Sequence, residues 1–134
     1  MGNQEIKEML ATYKDIAVVG LSADARKPSH EVAAYLQRAG YRIIPVNPAC
    51  QEILGEKCYP TLADVPGDVD IVDVFRRCEF LPEIVEQAIA KGAKVVWMQE
   101  GVVNEAAAAR AEAAGLAVVM DRCILKEHQR LVPR

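Results

Sequence analysis

Basic and hydroxyl side chains cluster shortly after the first aliphatic run of the chain. The stretch GLSADARKPSHEV, which starts at Gly20, contains hydroxyl and basic side chains that can donate hydrogen bonds to an anion, among them Ser22, Arg26, Lys27 and Ser29. A helix that begins near Ser29 adds free N–H groups and a positive dipole end. The pattern predicts a phosphate-binding loop in which charged side chains replace the glycines of a glycine-rich turn. The alternative is that Gly20 only turns the chain and that the basic pair is solvated surface.

Two more polar groups follow later aliphatic runs. Phe75, Arg76 and Arg77 place a flat apolar ring beside two guanidinium groups, which suits an adenine ring or phosphate groups. The same residues are equally consistent with a core Phe75 and with arginines paired to acidic neighbours. Gln99 and Gly101 end another run, where a glycine lets a ligand approach the backbone closely.

The residues after the second aliphatic run bear on the choice of nucleotide. There the chain reads PVNPAC, with Asn47 and Pro48 but no acidic residue before Glu52. An NAD site in this kind of fold usually has Asp or Glu at this point to hold the ribose hydroxyls, so a plain NAD site is disfavoured. The pattern G-x-x-x-x-G-K-[ST] is absent from the sequence, which excludes a P-loop.

Cys123 lies in the most distinctive setting of the four cysteines, in the segment MDRCIL. If Asp121 caps the final helix, Cys123 occupies its first turn, where the helix dipole and Arg122 favour a thiolate. This arrangement predicts that Cys123 is the most reactive thiol, and a buried, inert Cys123 is the alternative. The chain has no C-x-x-C pair and only two histidines, so reduced thiols are expected rather than metal ligands.

The polar groups described above follow short, β-branched aliphatic runs, which are typical of strands buried on both faces of a parallel sheet. Five such runs occur: DIAVVG, YRIIPV, VDIVDVF, AKVVWM and LAVVM. Helical patterns separate most of them, and Gly40, Gly92 and Gly115 mark helix ends. The sequence therefore predicts an α/β, three-layer Rossmann-like fold with a five-stranded parallel sheet and helices on both faces. Ligands of such sheets bind at the carboxyl ends of the strands, where these polar groups lie.

Capping residues predict where the helices begin. Ser29 is expected to cap the second helix, and Asn104 is expected to cap the alanine-rich helix that follows it later in the chain. A first helix is expected over residues 4–13 and a last one over about 122–131. The segment 47–69 is rich in proline and glycine, which predicts turns and short helices.

Length and composition restrict the class of protein. The chain has 134 residues, 51% of them hydrophobic, which predicts a single domain spanning residues 1–134. Its net charge of -3 gives no support to nucleic-acid binding. The sequence has neither an N-terminal signal pattern nor a run of 18 apolar residues, so it predicts a cytoplasmic protein with no membrane partner.

Six segments carry a family resemblance: VVGLSADARKPSHEVAAYL, GYRIIPVNP, ILGEKCYPTL, VDIVDVFRR, GAKVVWMQEGV and AGLAVVMDRC. Through them the chain, from Ile16 to about Leu131, resembles the small stand-alone coenzyme A-binding proteins. These proteins are similar to the coenzyme A-binding Rossmann domain of succinyl-CoA synthetase and of NDP-forming acyl-CoA synthetases. The resemblance implies a ligand with an adenosine, a pyrophosphate, a ribose 3′-phosphate and a thiol-ended arm.

The resemblance also implies a role for each matching segment. Gly20–Ser22 and Lys27–Ser29 should hold the phosphates, and Phe75–Arg77 should line one side of the nucleotide. Asn47 and Pro48 should flank its other side, and Gln99–Gly101 should border the path of the pantetheine arm. The candidate cofactor-binding residues are Gly20, Leu21, Ser22, Arg26, Lys27, Pro28, Ser29, Asn47, Pro48, Phe75, Arg76, Arg77, Gln99 and Gly101.

The function implied is binding of coenzyme A or an acyl-CoA at the carboxyl ends of the strands, without catalysis of its own. The multi-domain relatives carry a phosphorylated histidine and further domains, and this chain has neither the length nor a matching histidine. Three alternatives stay open. The chain could be an enzyme or redox protein that uses Cys123 with coenzyme A, a binder of another dinucleotide such as NADP, or an interaction module that has lost its ligand.

Overall fold

The core of the fold is a parallel β-sheet. The structure is a computed structural model that describes residues 2–132. Its strands in chain order are β1 (Asp15–Val19), β2 (Arg42–Val46), β3 (Glu52–Ile53), β4 (Glu56–Lys57), β5 (Ile71–Val74), β6 (Val95–Met98) and β7 (Ala117–Val119). Five of them form one sheet in the order β2-β1-β5-β6-β7, and every neighbouring pair in it is parallel. The predicted α/β Rossmann-like fold is confirmed.

Helices cover both faces of this sheet. They are α1 (Asn3–Thr12), α2 (Pro28–Arg38), α3 (Leu81–Ala90), α4 (Glu105–Ala113) and α5 (Ile124–Leu131). Apolar side chains of α1, α2 and α5 pack on one face, and those of α3 and α4 pack on the other. All four residues of β5 and of β6 are buried as a result, which explains their continuous apolar pattern. Within residues 2–132, no helix is long and apolar enough to cross a bilayer.

The strand order reverses direction between β1 and β5. From β1 the chain crosses by α2 to β2 on one side, whereas β5, β6 and β7 follow on the other side. The connections that leave the carboxyl ends of β1 and β5 therefore diverge to opposite sides of the sheet. In open parallel sheets such a divergence leaves a crevice in which ligands bind.

One of the three predicted helix caps is confirmed, and two are wrong. Asn104 caps α4, because its side chain accepts a hydrogen bond of 2.9 Å from the backbone N–H of Ala107. Ser29 does not cap α2, since the helix already begins at Pro28, whose fixed φ suits a first turn. Asp121 does not cap α5 either. Cys123 precedes that helix, so it lies one position before the first turn rather than inside it.

The segment 47–69 contains one feature that the sequence did not predict. A short 3-10 helix at Leu62–Asp64 agrees with the expected turns and short helices, but β3 and β4 also pair as a small antiparallel hairpin. Just after this hairpin, the backbone of Tyr59 donates to Pro45 and accepts from Asn47, at 3.0 and 2.9 Å. The segment is thereby fastened to the outer edge of β2, which would otherwise present unpaired backbone groups.

Candidate ligand-binding site

A cleft opens at the carboxyl edge of the sheet, where the strand order predicts a ligand site. Its larger cavity has a volume of about 630 Å³. The residues that line it are Pro28, Val32, Phe75, Arg76, Arg77, Cys78, Gln99, Glu100, Gly101, Val102 and Cys123. This volume falls within the range of ~300–1,000 Å³ that is usual for small-molecule and cofactor sites. The cleft brings together the start of α2 and the loops after β5, β6 and β7.

A second, smaller cavity of about 290 Å³ adjoins the first. It is lined by Val19, Val46, Pro48, Pro60, Thr61, Leu62, Arg76, Phe80, Glu83, Ile84 and Gln87. Arg76 lines both cavities, so its side chain lies at their junction. Most of the other lining side chains of the smaller cavity are apolar. Such a pair of cavities fits an elongated ligand with a charged centre and two distinct ends.

Arg76 holds a positive charge at the junction of the two cavities. Its guanidinium carbon lies 4.2 Å from the centroid of the Phe80 ring, a cation–π contact. Within residues 2–132 it forms no ion pair, whereas the exposed Arg77 lies 3.6 Å from a carboxylate oxygen of Glu79. The alternative of arginines paired with acidic neighbours therefore applies to Arg77 and not to Arg76. Arg76 keeps its charge available to an anion.

Gly20 lets the loop after β5 approach the end of β1. Its φ is +90°, and a Cβ at this position would lie 2.5 Å from the Phe75 carbonyl oxygen and 3.0 Å from Cδ of Arg76. Any side chain would collide with that backbone carbonyl. Gly20 thus allows close contact with the protein's own loop after β5.

The segment 20–29, termed the first loop, runs from the end of β1 into the first turn of α2 and uses its two hydroxyl groups internally. The backbone N–H of Ser22 donates to Oγ of Ser29 at 3.0 Å, and Oγ of Ser22 accepts from the N–H of Asp24 at 3.0 Å. Ser29 is buried in the first turn of α2, where its hydroxyl oxygen accepts from Ser22 instead of capping the helix. These bonds fix the path of the loop.

The two cations of the first loop differ in what they contact. Arg26 is 90% exposed and forms two hydrogen bonds to the carboxylate of Asp24, each 3.1 Å long. These bonds to Arg26 hold the pKa of Asp24 below its usual value. The exposed Lys27 precedes α2, and within residues 2–132 its ammonium group has no hydrogen bond or ion pair. The cation that is free to meet a ligand in this loop is therefore Lys27.

Asn47 joins the end of β2 to the first loop. Its side-chain amide donates to the Leu21 carbonyl at 2.8 Å, and its amide oxygen accepts from the Ala49 N–H at 2.8 Å. Leu21 is fully buried, so only its backbone faces the loop region. Pro48, the next residue, lines the smaller cavity.

Gln99 and Gly101 connect the end of β6 to the start of α5. Gln99 is 4% exposed, and its amide oxygen accepts from the backbone N–H of Ile124 at 3.1 Å. The N–H of Gly101 donates to a carboxylate oxygen of Asp121 at 2.7 Å. Asp121 has a φ of +60° and bonds across to this loop, which explains why it does not cap α5.

The structure brings together about half of the predicted site residues. Seven of the fourteen line a cavity: Pro28, Pro48, Phe75, Arg76, Arg77, Gln99 and Gly101. The other seven shape or flank the first loop: Gly20, Leu21, Ser22, Arg26, Lys27, Ser29 and Asn47. The sequence reasoning placed none of Val32, Cys78, Pro60 and Phe80 at the site. Cys78 could have been predicted as a site residue from its position directly after Arg77. Pro60 could not, because it reaches the cleft through the pairing of Tyr59 with β2.

Asp73 is an unexpected acidic residue beneath this edge of the sheet. It lies in β5 between Val18 of β1 and Trp97 of β6, and its side chain is completely buried. Neither carboxylate oxygen has a hydrogen-bond partner within residues 2–132. Burial raises the pKa of Asp73 well above its usual value. A buried carboxyl without a partner is costly, especially when it is ionised.

Fold and cleft together define a Rossmann-like α/β protein with a two-part cleft at the carboxyl edge of its sheet. A family model described as a CoA binding domain matches residues 14–129 of the chain. The chain therefore belongs to the CoA-binding domain family.

Comparison with individual proteins gives both full-length and partial matches. The protein YneT of Bacillus subtilis strain 168 is 48% identical over 124 residues, which are 92% of each chain. A solved structure of a protein from Pyrococcus horikoshii OT3 is 44% identical and superimposes with a TM-score of 0.96, covering 98% of this chain and 93% of that one. The ADP-forming acetate–CoA ligase II of Archaeoglobus fulgidus is 35% identical over 83 residues. This match spans 60% of the present chain but only 12% of the ligase.

Proposed function

We propose that this protein binds coenzyme A, or an acyl-CoA, in the two-part cleft, without catalysing a reaction of its own. The observation that carries the proposal is the position of Arg76, a cation at the junction of two cavities. Coenzyme A has a matching form, because its pyrophosphate joins an adenosine to a long thiol-ended arm. Membership of the CoA-binding domain family supports this choice of ligand over other dinucleotides.

The lining of each cavity indicates which end of the ligand it takes. The smaller cavity is bordered by Pro48 and Pro60 and by the Phe80 ring, which suit an adenine ring. The larger cavity runs past Gln99 and Gly101, which suit the pantetheine arm. In this orientation the phosphates lie near Arg76, and Lys27 can reach them from the start of α2.

The proposal of binding without catalysis is supported by the partial match to a ligase. The acetate–CoA ligase named above is matched over only 12% of its length, so most of the ligase has no counterpart in this alignment. The activity in its name is therefore not carried over to this chain. The matched part corresponds to a coenzyme A-binding unit.

Thermal denaturation of the purified chain tests the proposal. Coenzyme A at 100 times its Kd should stabilise the folded state by about 2.7 kcal/mol, which raises the melting temperature. Dephospho-coenzyme A should stabilise less if the 3′-phosphate is contacted. Identical melting curves with and without saturating coenzyme A would refute the proposal.

A substitution at Arg76 tests the role of its charge. Arg76→Met keeps most of the apolar stem but removes the guanidinium group, and a charge-assisted hydrogen bond contributes about 1.5–3 kcal/mol. The Kd for coenzyme A, measured by calorimetry, should therefore rise by roughly 10- to 150-fold. Arg110→Met is the matched control, because Arg110 pairs with Glu86 between α3 and α4, outside the cleft. Equal affinities for the two variants would show that Arg76 does not hold the phosphates.

A further inference from the structure

Two of the four cysteines reach the larger cavity. Cys78 comes from the loop after β5, and Cys123 comes from the loop after β7. Cys50 and Cys58 do not line it. Cys58 is buried elsewhere, where burial raises the pKa of its thiol. The cavity proposed for the thiol-ended arm of the ligand thus also contains two protein thiols.

The two cavity cysteines differ in what their sulfur atoms contact. Sγ of Cys78 accepts a hydrogen bond of 3.3 Å from the N–H of Val103 and lies 3.8 Å from the Gly101 carbonyl oxygen. These contacts attach its sulfur to the loop after β6. Cys123 is half-buried, and within residues 2–132 its Sγ makes no hydrogen bond. Its sulfur is therefore free to react.

Cys123 lies beside the start of α5 and close to Lys126. Cys123 immediately precedes α5, so it lies beside the positive end of that helix. Lys126, three residues later, has a raised pKa, mainly because of its hydrogen bond to Glu100 and to a smaller degree because of attraction to Cys123. The thiolate is the form of cysteine that attacks disulfides.

We infer that Cys123 exchanges with disulfides of coenzyme A that enter the larger cavity and becomes covalently joined to the coenzyme. The inference rests on the proposed function, because the cleft has to hold the adenosine and phosphates for the sulfur atoms to meet. In the exchange, the Cys123 thiolate attacks the coenzyme A sulfur of a disulfide CoA–S–S–R. A new S–S bond joins Cys123 to coenzyme A, the old S–S bond breaks, and RS⁻ leaves and takes up a proton from water. The disulfide itself is the oxidant.

Placement of the disulfide in the cleft distinguishes this exchange from the general reactivity of an exposed thiol. A disulfide whose adenosine and phosphates are bound is held near Cys123, so its reaction gains the advantage of an intramolecular step. Oxidised glutathione carries the same type of S–S bond but lacks the adenosine and phosphates. It should react no faster with Cys123 than with a small model thiol.

Intact-mass measurement on the full chain tests the inference. The protein is incubated under anaerobic conditions with coenzyme A disulfide or, separately, with oxidised glutathione at the same concentration. We expect one adduct with the mass of coenzyme A less two hydrogens, formed at least ~10-fold faster than the glutathione adduct and reversed by a reducing agent. Cys123→Ser should abolish the adduct, whereas Cys78→Ser, a substitution in the same cavity, should retain it.

Separate binding measurements distinguish failure of this inference from failure of the proposed function. The Kd for reduced coenzyme A is therefore measured for the unchanged protein and for Cys123→Ser. If both bind coenzyme A but the unchanged protein forms no adduct, or forms it at Cys78, the exchange at Cys123 is refuted and the proposed function stands. Equal rates of adduct formation with coenzyme A disulfide and oxidised glutathione would likewise refute the exchange at Cys123. If neither protein binds coenzyme A, the proposed function itself fails.

Discussion

The buried carboxyl of Asp73 should make the stability of the protein fall as the pH rises. Its pKa is raised in the folded state by burial, so the folded protein holds this proton at pH values where the unfolded chain has lost it. The stability associated with Asp73 is therefore fully present below the unfolded pKa of about 3.8 and declines as the pH rises toward the folded pKa. Most carboxyls in ion pairs act in the opposite direction.

The size of the effect follows from linkage. For as long as the pH lies between the unfolded and folded pKa values, one proton difference lowers the free energy of unfolding by about 1.36 kcal/mol per pH unit. From pH 5 to pH 7 this amounts to about 2.7 kcal/mol if Asp73 stays protonated in the folded protein throughout. Asp73→Asn has nearly the same shape and cannot ionise, so it should lose this part of the pH dependence.

Urea unfolding at pH 5, 6, 7 and 8 measures the difference. The chain has one tryptophan, Trp97, which is fully buried beside Asp73, so its fluorescence reports on unfolding of the core. The free energy of unfolding of the unchanged protein, minus that of Asp73→Asn, should fall by up to ~1.36 kcal/mol for each pH unit. Asp68→Asn, which removes an exposed carboxylate, serves as the control and should parallel the unchanged protein. If Asp73→Asn also runs parallel to it, the carboxyl is ionised when folded, and the reasoning from burial is wrong.

Two further predictions concern stability. Gly20→Ala should cost on the order of 2–4 kcal/mol in urea unfolding, because it combines a positive φ with a clash against the Phe75 carbonyl. Gly92→Ala shares the positive φ but has no atom within 4 Å, so its loss should be no more than about 1–2 kcal/mol; equal losses would refute the clash. Asn104→Ala should cost about 1 kcal/mol, because the N–H of Ala107 loses its acceptor. Asn104→Ser should restore most of that stability, and an unchanged Asn104→Ala protein would mean that the cap contributes nothing.

The strands and their loops could be predicted because local sequence determines them. All five strands of the sheet appear as short β-branched runs, since helices cover both of its faces. Asn104 could also be predicted as a cap, because its partner lies three residues away in the same helix. In each case the deciding interaction is between close neighbours or follows from burial alone.

The predictions that failed depend on partners that are distant in the chain or on competition for one side chain. Asp121 could have capped α5 by its position, but its carboxylate bonds Gly101, twenty residues earlier. The hydroxyl of Ser29 is likewise taken by Ser22. Burial of Asp73 without a partner has no local signal either, since an acidic residue within a strand run usually faces water. Such choices become visible only when the elements are assembled.

The first loop depends both on its local sequence and on contacts with residues that are distant in the chain. Its sequence suggested that charged side chains stand in for glycines. Within residues 2–132, however, Arg26 is paired with Asp24 and the oxygens of Ser22 and Ser29 accept backbone hydrogen bonds, whereas Lys27 has no ion pair. Arg76, which has no ion pair within residues 2–132, comes from the loop after β5, and Gly20 provides the space through which that loop passes. Gly20, directly after β1, therefore acts on the site by making room for the loop after β5 that carries Arg76. If this reasoning is right, Gly20→Ala should weaken coenzyme A binding as well as stability, because it displaces the loop that positions the Arg76 guanidinium.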